Sequence, residues 1–276
     1  MRWANLVLVA GTATALSVTA CSGGGSSDNN SSTPAAGGSA PTSASPSAAT
    51  HEIVVTNDDG VAAPGIDAVV TALQGVSGVH VTVVAPAKNQ SGTGGKTTAG
   101  TVTYTSSKTA SGYPATAVNG YPADTITVAL DKLHLHPALV VSGANLGQNL
   151  GPVTNLSGTV GAAKAAVSKG VPALAVSAGV GNPVDYQTAA RYAVMWVDSF
   201  FKGSPSPTPT TVANLNVPSC STGSVRGEKQ LPTQTSIPNL AEAVSKQDCT
   251  STATPATEVA AFNDGFATLT QVPAAS

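Results

Sequence analysis

From His51 onward the chain repeats one pattern: a short apolar run, a polar or glycine-rich loop, then apolar residues at helical spacing. The apolar runs are Glu52–Thr56, Val79–Ala85, Ala138–Ser142 and Pro172–Ser177, and Val212–Val217 reads as a further strand. Consecutive apolar residues such as Ile53-Val54-Val55 and Leu139-Val140-Val141 need cover on both faces of a sheet. Helical stretches run over Pro64–Leu73, Asp124–Leu130, Thr159–Ser168 and Tyr186–Phe201. The first carries Ile66, Val69, Val70 and Leu73 along one side. Thr101–Thr105 and Ala115–Val118 read as short hairpin strands. Periodicity is then weak after Val217 until Gly265–Val272. Strands alternating with helices predict an α/β fold: a mostly parallel sheet with helices on both faces and an irregular C-terminal extension. Right-handed crossovers bring the strand carboxyl ends to one edge, where open α/β sheets bind ligands.

Three polar loops meet on that edge: Asn57–Gly60, Asn89–Thr93 and Ser142–Asn149. The first, Asn57-Asp58-Asp59-Gly60, places two neighbouring carboxylates behind a buried strand. Each resists ionisation beside the other unless a positive charge intervenes. The same tetrapeptide is also good turn chemistry, and only its company decides between the readings. Ser91 adds a hydroxyl and Asn145 an amide oxygen. Hard oxygen donors of this kind suit Mg²⁺, Mn²⁺ or Ca²⁺ and do not suit zinc. Ser157-Gly158-Thr159 opens a helix, whose N-terminal amides and dipole favour a phosphate, although Ser157 also serves as an ordinary N-cap. Gly94-Gly95-Lys96-Thr97 lacks the earlier glycine of a phosphate-binding P-loop, because position 90 is Gln. His134 and His136 precede the third long strand, on the edge away from these loops. With no histidine placed for acid–base work, a metal-activated water is the expected nucleophile, and phosphoester hydrolysis the expected reaction.

Charge excludes some partners. The 276 residues carry a formal net charge of −2, only 9% are charged and 4% aromatic. A nucleic-acid polymer wants a basic face or aromatic platforms. The N-terminus reads as an address, not as fold. Arg2 precedes an apolar stretch from Trp3 to about Val18, and Val18-Thr19-Ala20-Cys21 closes it. This end resembles the lipobox of bacterial lipoproteins, which implies cleavage before Cys21, lipidation of its sulfur and an exported, membrane-anchored protein. Residues 22–50 are Ser, Gly, Ala, Thr and Pro with almost no large apolar side chain, a composition that reads as a flexible tether. Cys220 and Cys249 then remain as an even pair. In an oxidising compartment they predict a disulfide worth about 3 kcal/mol by loop entropy.

The motifs together resemble the SurE survival-protein family. The resemblance rests on Ile53-Val54-Val55-Thr56-Asn57-Asp58-Asp59-Gly60-Val61, on Val83-Val84-Ala85-Pro86 with Gln90-Ser91-Gly92, and on Val118-Asn119-Gly120 with Pro122-Ala123-Asp124. It continues through Ser142-Gly143-Ala144-Asn145-Leu146-Gly147-Gln148-Asn149 and Ser157-Gly158-Thr159-Val160-Gly161. It spans residues 51–273, fades after about residue 180 and returns at Asn214-Leu215-Asn216-Val217-Pro218. The resemblance implies a Rossmann-like three-layer sandwich, a divalent metal (Mg²⁺ or Mn²⁺) on Asp58, Asp59, Ser91 and Asn145, and hydrolysis of nucleoside 5′- or 3′-monophosphates. Asp58, Asp59 and Asn145 are its expected catalytic residues. Asn57, Ser157, Gly158 and Thr159 are the expected substrate-binding residues. A homodimer or homotetramer is also implied. The haloacid-dehalogenase route needs a nucleophilic Asp two residues before the second Asp, and that position holds Asn57. A surface lipoprotein that binds nucleotide or metal without turnover is the non-enzymatic alternative.

Overall fold

The computed structural model describes residues 50–203, 208–241 and 246–275. The expected leader 1–21, lipidation at Cys21, and residues 22–49 of the expected tether lie outside the described residues. The elements are β1 (His51–Thr56), α1 (Pro64–Gln74), β2 (Val79–Pro86), β3 (Thr103–Lys108), β4 (Pro114–Asn119) and α2 (Pro122–Thr127). A π-helical turn over Val128–Lys132 leads to β5 (Leu139–Leu146), and a 3-10 turn over Gly151–Asn155 leads to α3 (Gly158–Ser168). β6 (Ala173–Ala178), α4 (Tyr186–Lys202), β7 (Thr211–Val217), β8 (Glu228–Gln230), α5 (Glu258–Asn263) and β9 (Ala267–Pro273) follow.

They build one nine-stranded sheet in the order β3-β4-β2-β1-β5-β6-β7-β9-β8. β4, β2, β1, β5, β6 and β7 are mutually parallel; β3 pairs antiparallel with β4, and β9 pairs antiparallel with β7 and parallel with β8. The consecutive apolar residues are buried on alternate faces. Ile53, Val55, Val141 and Leu174 pack beneath α1 and α4 with Ile66, Leu73, Ala193 and Val197. Val54, Val84, Val140 and Ala175 pack beneath α2 and α3 with Ile126, Val160, Ala163 and Val167. Burying each such side chain is worth about 1.5–3 kcal/mol, so the three-layer sandwich follows from covering both faces.

Three local readings change. The hairpin strand expected at Thr101–Thr105 is β3, two residues later, exposed along nearly its whole length and so weakly marked by apolar pattern. The loop expected to follow Ser142 remains strand, because β5 resumes pairing with β6 at Asn145↔Ser177 after a bulge. Gly143 makes this possible: its φ is +137°, and a Cβ there would sit 2.2 Å from the Val176 carbonyl oxygen. The irregular C-terminal segment contains β8 and α5, both too short to show a period.

Candidate functional site

Chain order sends β2 to one side of β1 and β5 to the other. The crevice at their carboxyl ends is therefore the switch point where an open α/β sheet binds ligands. The loop after β1 is closed by its own side chain. Asn57 Nδ2 donates to the Gly60 carbonyl at 2.9 Å, and the Gly60 amide donates to Asn57 Oδ1 at 3.2 Å. This turn points Asp58 into the molecule and Asp59 toward the next loops.

Asp58 is buried against the start of α3. The Thr159 amide donates to its Oδ2 at 3.1 Å and the Thr159 hydroxyl to its Oδ1 at 2.7 Å. The helix N-terminus thus places its positive end on a carboxylate of the chain itself. Ser157 caps the helix, its Oγ accepting from the Val160 amide at 3.1 Å. Gly158 packs against Asp58, with room for no Cβ: one would lie 2.8 Å from the Asp58 Cβ. Asp59 accepts from the Leu146 amide at 3.0 Å and from Asn89 Nδ2 at 3.3 Å, and the Ser91 hydroxyl also bonds to it. Asn145 uses its amide nitrogen on the Gly147 carbonyl at 2.6 Å, which leaves Oδ1 as the oxygen for a ligand.

Asp58, Ser91, Asn145 and Ser157 line one cleft of about 250 Å³, and Asp59 is tied to it through its bond from Ser91 and the charge of Asp58. The loop that carries Ser91 is tied down twice. Asp124 accepts from the Thr98 hydroxyl at 2.6 Å, and the Gly94 amide donates to Leu156 O at 3.0 Å. That second contact needs Gly161 in α3, whose Cβ would fall 2.2 Å from the Gly94 carbonyl oxygen.

Both aspartates have pKa values raised above the ordinary carboxylate range. Burial lifts Asp58 despite its Thr159 donors, and burial together with the Asp58 charge lifts Asp59. Two half-reluctant anions side by side mark a place short of positive charge. The donor set therefore fits a hard divalent cation: carboxylate oxygens from Asp58 and Asp59, the Ser91 hydroxyl and Asn145 Oδ1. Among the described residues no three His, Cys, Asp or Glu side chains gather, so such a cation depends on the neutral oxygens as well.

Two residues at the site were not singled out from sequence. Asn89 bonds both Asp59 and, through Oδ1, the Ser91 amide at 2.9 Å; its position in the second polar loop was its signal. Tyr186 opens α4, and its hydroxyl pKa is pushed up to about 12 by burial and by the Asp59 charge. Its signal was weaker: a tyrosine in the first turn of a helix that starts at the ligand-binding edge. His134 and His136 precede β5 and lie at the other edge.

A profile of the family described as survival protein SurE matches residues 53–240. Curated relatives include a protein of Halobacterium salinarum named 5′-nucleotidase SurE, 50% identical over 127 residues, 46% of each chain. A Moorella thermoacetica protein of the same name is 41% identical over 183 residues, covering 63% of this chain and 67% of that one. The chain spans about half the length of the first of these relatives (46%). The crystal structure of the SurE protein from Aquifex aeolicus superposes with a TM-score of 0.65 at 25% identity, over 81% of this chain and 93% of that one. The profile covers well over half of the chain and contains all three strand-end loops: the chain belongs to the survival protein SurE family.

Proposed function

We propose that the chain is a divalent-metal-dependent phosphomonoesterase that hydrolyses nucleoside 5′-monophosphates, with 3′-monophosphates as a second substrate class. One observation carries the reading: two buried-side carboxylates, a hydroxyl and an amide oxygen meet at the switch-point crevice of this sheet. Relatives named 5′-nucleotidase supply the substrate class. Asp58, Asp59, Ser91 and Asn145 hold the cation, Mg²⁺ or Mn²⁺. The cation supplies positive charge to the phosphoryl oxygens and acidity to a water. Asp58 is kept in place by Thr159 and Gly158, and Asp59 by Asn89, Ser91 and the Leu146 amide. The Ser157 hydroxyl, already an N-cap acceptor, turns its proton to the phosphate. In the reaction an O–P bond forms from water, the ester P–O bond breaks, and the water's proton ends on the leaving alcohol.

Asp59→Asn tests this with two readouts. Phosphate release from AMP with Mn²⁺ or Mg²⁺ falls by roughly a thousandfold, since metal-derived stabilisation is worth several kcal/mol and each tenfold is about 1.4. The rise in melting temperature that Mn²⁺ gives the wild type disappears. Full activity in the variant refutes the assignment.

The same proposal places the protein outside the cytoplasm, held to a membrane by lipid on Cys21. The Cys220–Cys249 disulfide, with Cα atoms 5.7 Å apart, supports an oxidising compartment. Labelled palmitate enters the wild type and not Cys21→Ser; equal labelling of both removes the anchor.

A further inference from the structure

The chain holds four phenylalanines and two tryptophans, and Trp3 falls in the expected leader. Trp196, Phe200 and Phe201 gather in the last two turns of α4. Trp196 stacks on Phe200 with ring centroids 5.1 Å apart, Phe200 meets Phe201 edge-on at 5.2 Å, and Phe201 stacks on His51 at 4.1 Å. The three α4 rings are half-buried, each packed against the core on one side and wet on the other. Met195 beside them is 55% exposed. A hollow of about 240 Å³ opens next to Trp196 and Phe200, between Pro172, Ala173, Pro209 and Thr211, and its lining holds no charged side chain. Aromatic and thioether surface gathered at one spot of a chain so poor in aromatics indicates a face kept for an occupant.

We infer that the patch formed by Met195, Trp196, Phe200 and Phe201 docks on the membrane that holds the chain's own lipid, so that the catalytic crevice opens away from the bilayer. The inference rests on the lipid anchor proposed above. The occupant follows from where the patch lies. α4 returns toward the amino ends of the strands: His51 opens β1, Ala173 opens β6 and Thr211 opens β7. This edge is opposite the crevice, which lies at the carboxyl ends. His51 is also where the chain that comes from Cys21 enters the sheet, and its ring is stacked into the patch. A chain extends at most about 3.5 Å per residue, so residues 22–50 keep the patch within about 100 Å of the anchoring lipid. Even a weak surface contact then becomes intramolecular. The boundary between headgroups and acyl chains takes rings with one apolar and one wet side. Asp198 and Lys202 are the charged residues of these two turns and offset one another. The contact therefore needs no anionic lipid, and the Lys202 stem can lie along the apolar surface with its ammonium in water.

Trp196 is the one tryptophan left once the leader is removed, so its emission reports on the patch alone. The lipidated chain is reconstituted on phosphatidylcholine vesicles, with and without bromine on the acyl chains. Brominated lipid lowers the Trp196 emission by about half, and the bilayer shields it from iodide in the water. Met195→Glu still floats with the vesicles through its lipid and loses most of this quenching. Met195 is exposed, so the substitution leaves the core of the fold intact. A wild type that floats with the vesicles but emits equally with both lipids overturns the inference and leaves the anchor in place. Quenching in Met195→Glu equal to that of the wild type does the same. A blue-shifted emission that brominated lipid does not reduce assigns the patch to a contact between copies of the chain and also overturns the inference. A chain that carries no lipid refutes the anchor, and the inference with it.

Discussion

The motif-bearing part of the sheet and the C-terminal third are held by different means. Around β1, β2 and β5, the polar side chains bond to short neighbouring loops: Asn57 to Gly60, Asn89 to Ser91, and Asp59 to the Leu146 amide. From β7 onward, side chains reach across the chain. Asn214 and Asn216 both donate to the Asn149 carbonyl, at 2.9 and 3.2 Å, and Asn216 Oδ1 accepts from the Asn149 amide at 2.7 Å. Glu258 accepts from the Gly151 amide at 3.1 Å and the Gln234 amide at 2.8 Å. The Cys220–Cys249 bond closes the segment between β7 and α5. Contacts among the strand-end loops and the start of α3 place the reactive oxygens, and contacts from β7 and α5 brace the loop between β5 and α3 that carries part of the cleft. Damage to the first region should cost chemistry, and damage to the second should cost stability.

The largest expected effects come from breaking the first region. Asp58→Asn loses phosphate release by about a thousandfold or more, as Asp59→Asn does. The two variants part in their metal-free stability. An amide at position 58 turns its NH₂ group against a donor of Thr159, so Asp58→Asn loses about 1–3 kcal/mol. Asp59 faces its donors nearer solvent, and its ionisation works against burial and against Asp58, so Asp59→Asn loses less stability than Asp58→Asn. Equal destabilisation of both by denaturant titration would break the division between the two carboxylates. The next effect belongs to the second region. Cys220→Ser/Cys249→Ser loses about 3 kcal/mol of stability, while its kcat on AMP at 25 °C stays within about twofold, as expected for a distant independent site. A large loss of kcat with little loss of stability reverses the assignment of roles.

This contrast also explains what the sequence made legible. Strand, loop and helix alternate in β1 to β6, and topology rules alone send the loops after β1, β2 and β5 to one edge. Asp58, Ser91 and Asn145 could be placed there because each lies within a few residues of a strand end. Tyr186 could not, since its approach to Asp59 depends on how α4 lies across the sheet. Gly143 falls just past the apolar run Ala138–Ser142 and so reads as loop; here it admits the bulge that lets Asn145 return to register with Ser177. Glu258 had no signal at all. A carboxylate in a polar, aperiodic stretch reads as solvated, and the partners that hold it in the interior are two amides more than twenty residues away in sequence.

Glu258 gives the smallest and most specific test of the comparison. It is buried at the start of α5, and burial raises its pKa above 4.5 despite the amides of Gln234 and Gly151. The folded state therefore holds the proton more tightly than the unfolded chain. This contribution to stability is full below pH 4.5 and is lost as pH rises through the raised folded value. Glu258→Gln keeps an acceptor oxygen for both amides and removes the ionisation. Melting temperatures of the two proteins should converge at low pH and separate toward neutrality, with the Gln variant the higher. Glu258→Ala leaves the buried Gly151 amide and the half-buried Gln234 amide without an acceptor and should lose about 1–3 kcal/mol at every pH. A Gln variant that tracks the wild type at all pH values would mean that Glu258 titrates as a solvated side chain. The bracing of the Gly151 loop would then rest on Asn149, Asn214 and Asn216, whose amides do not titrate.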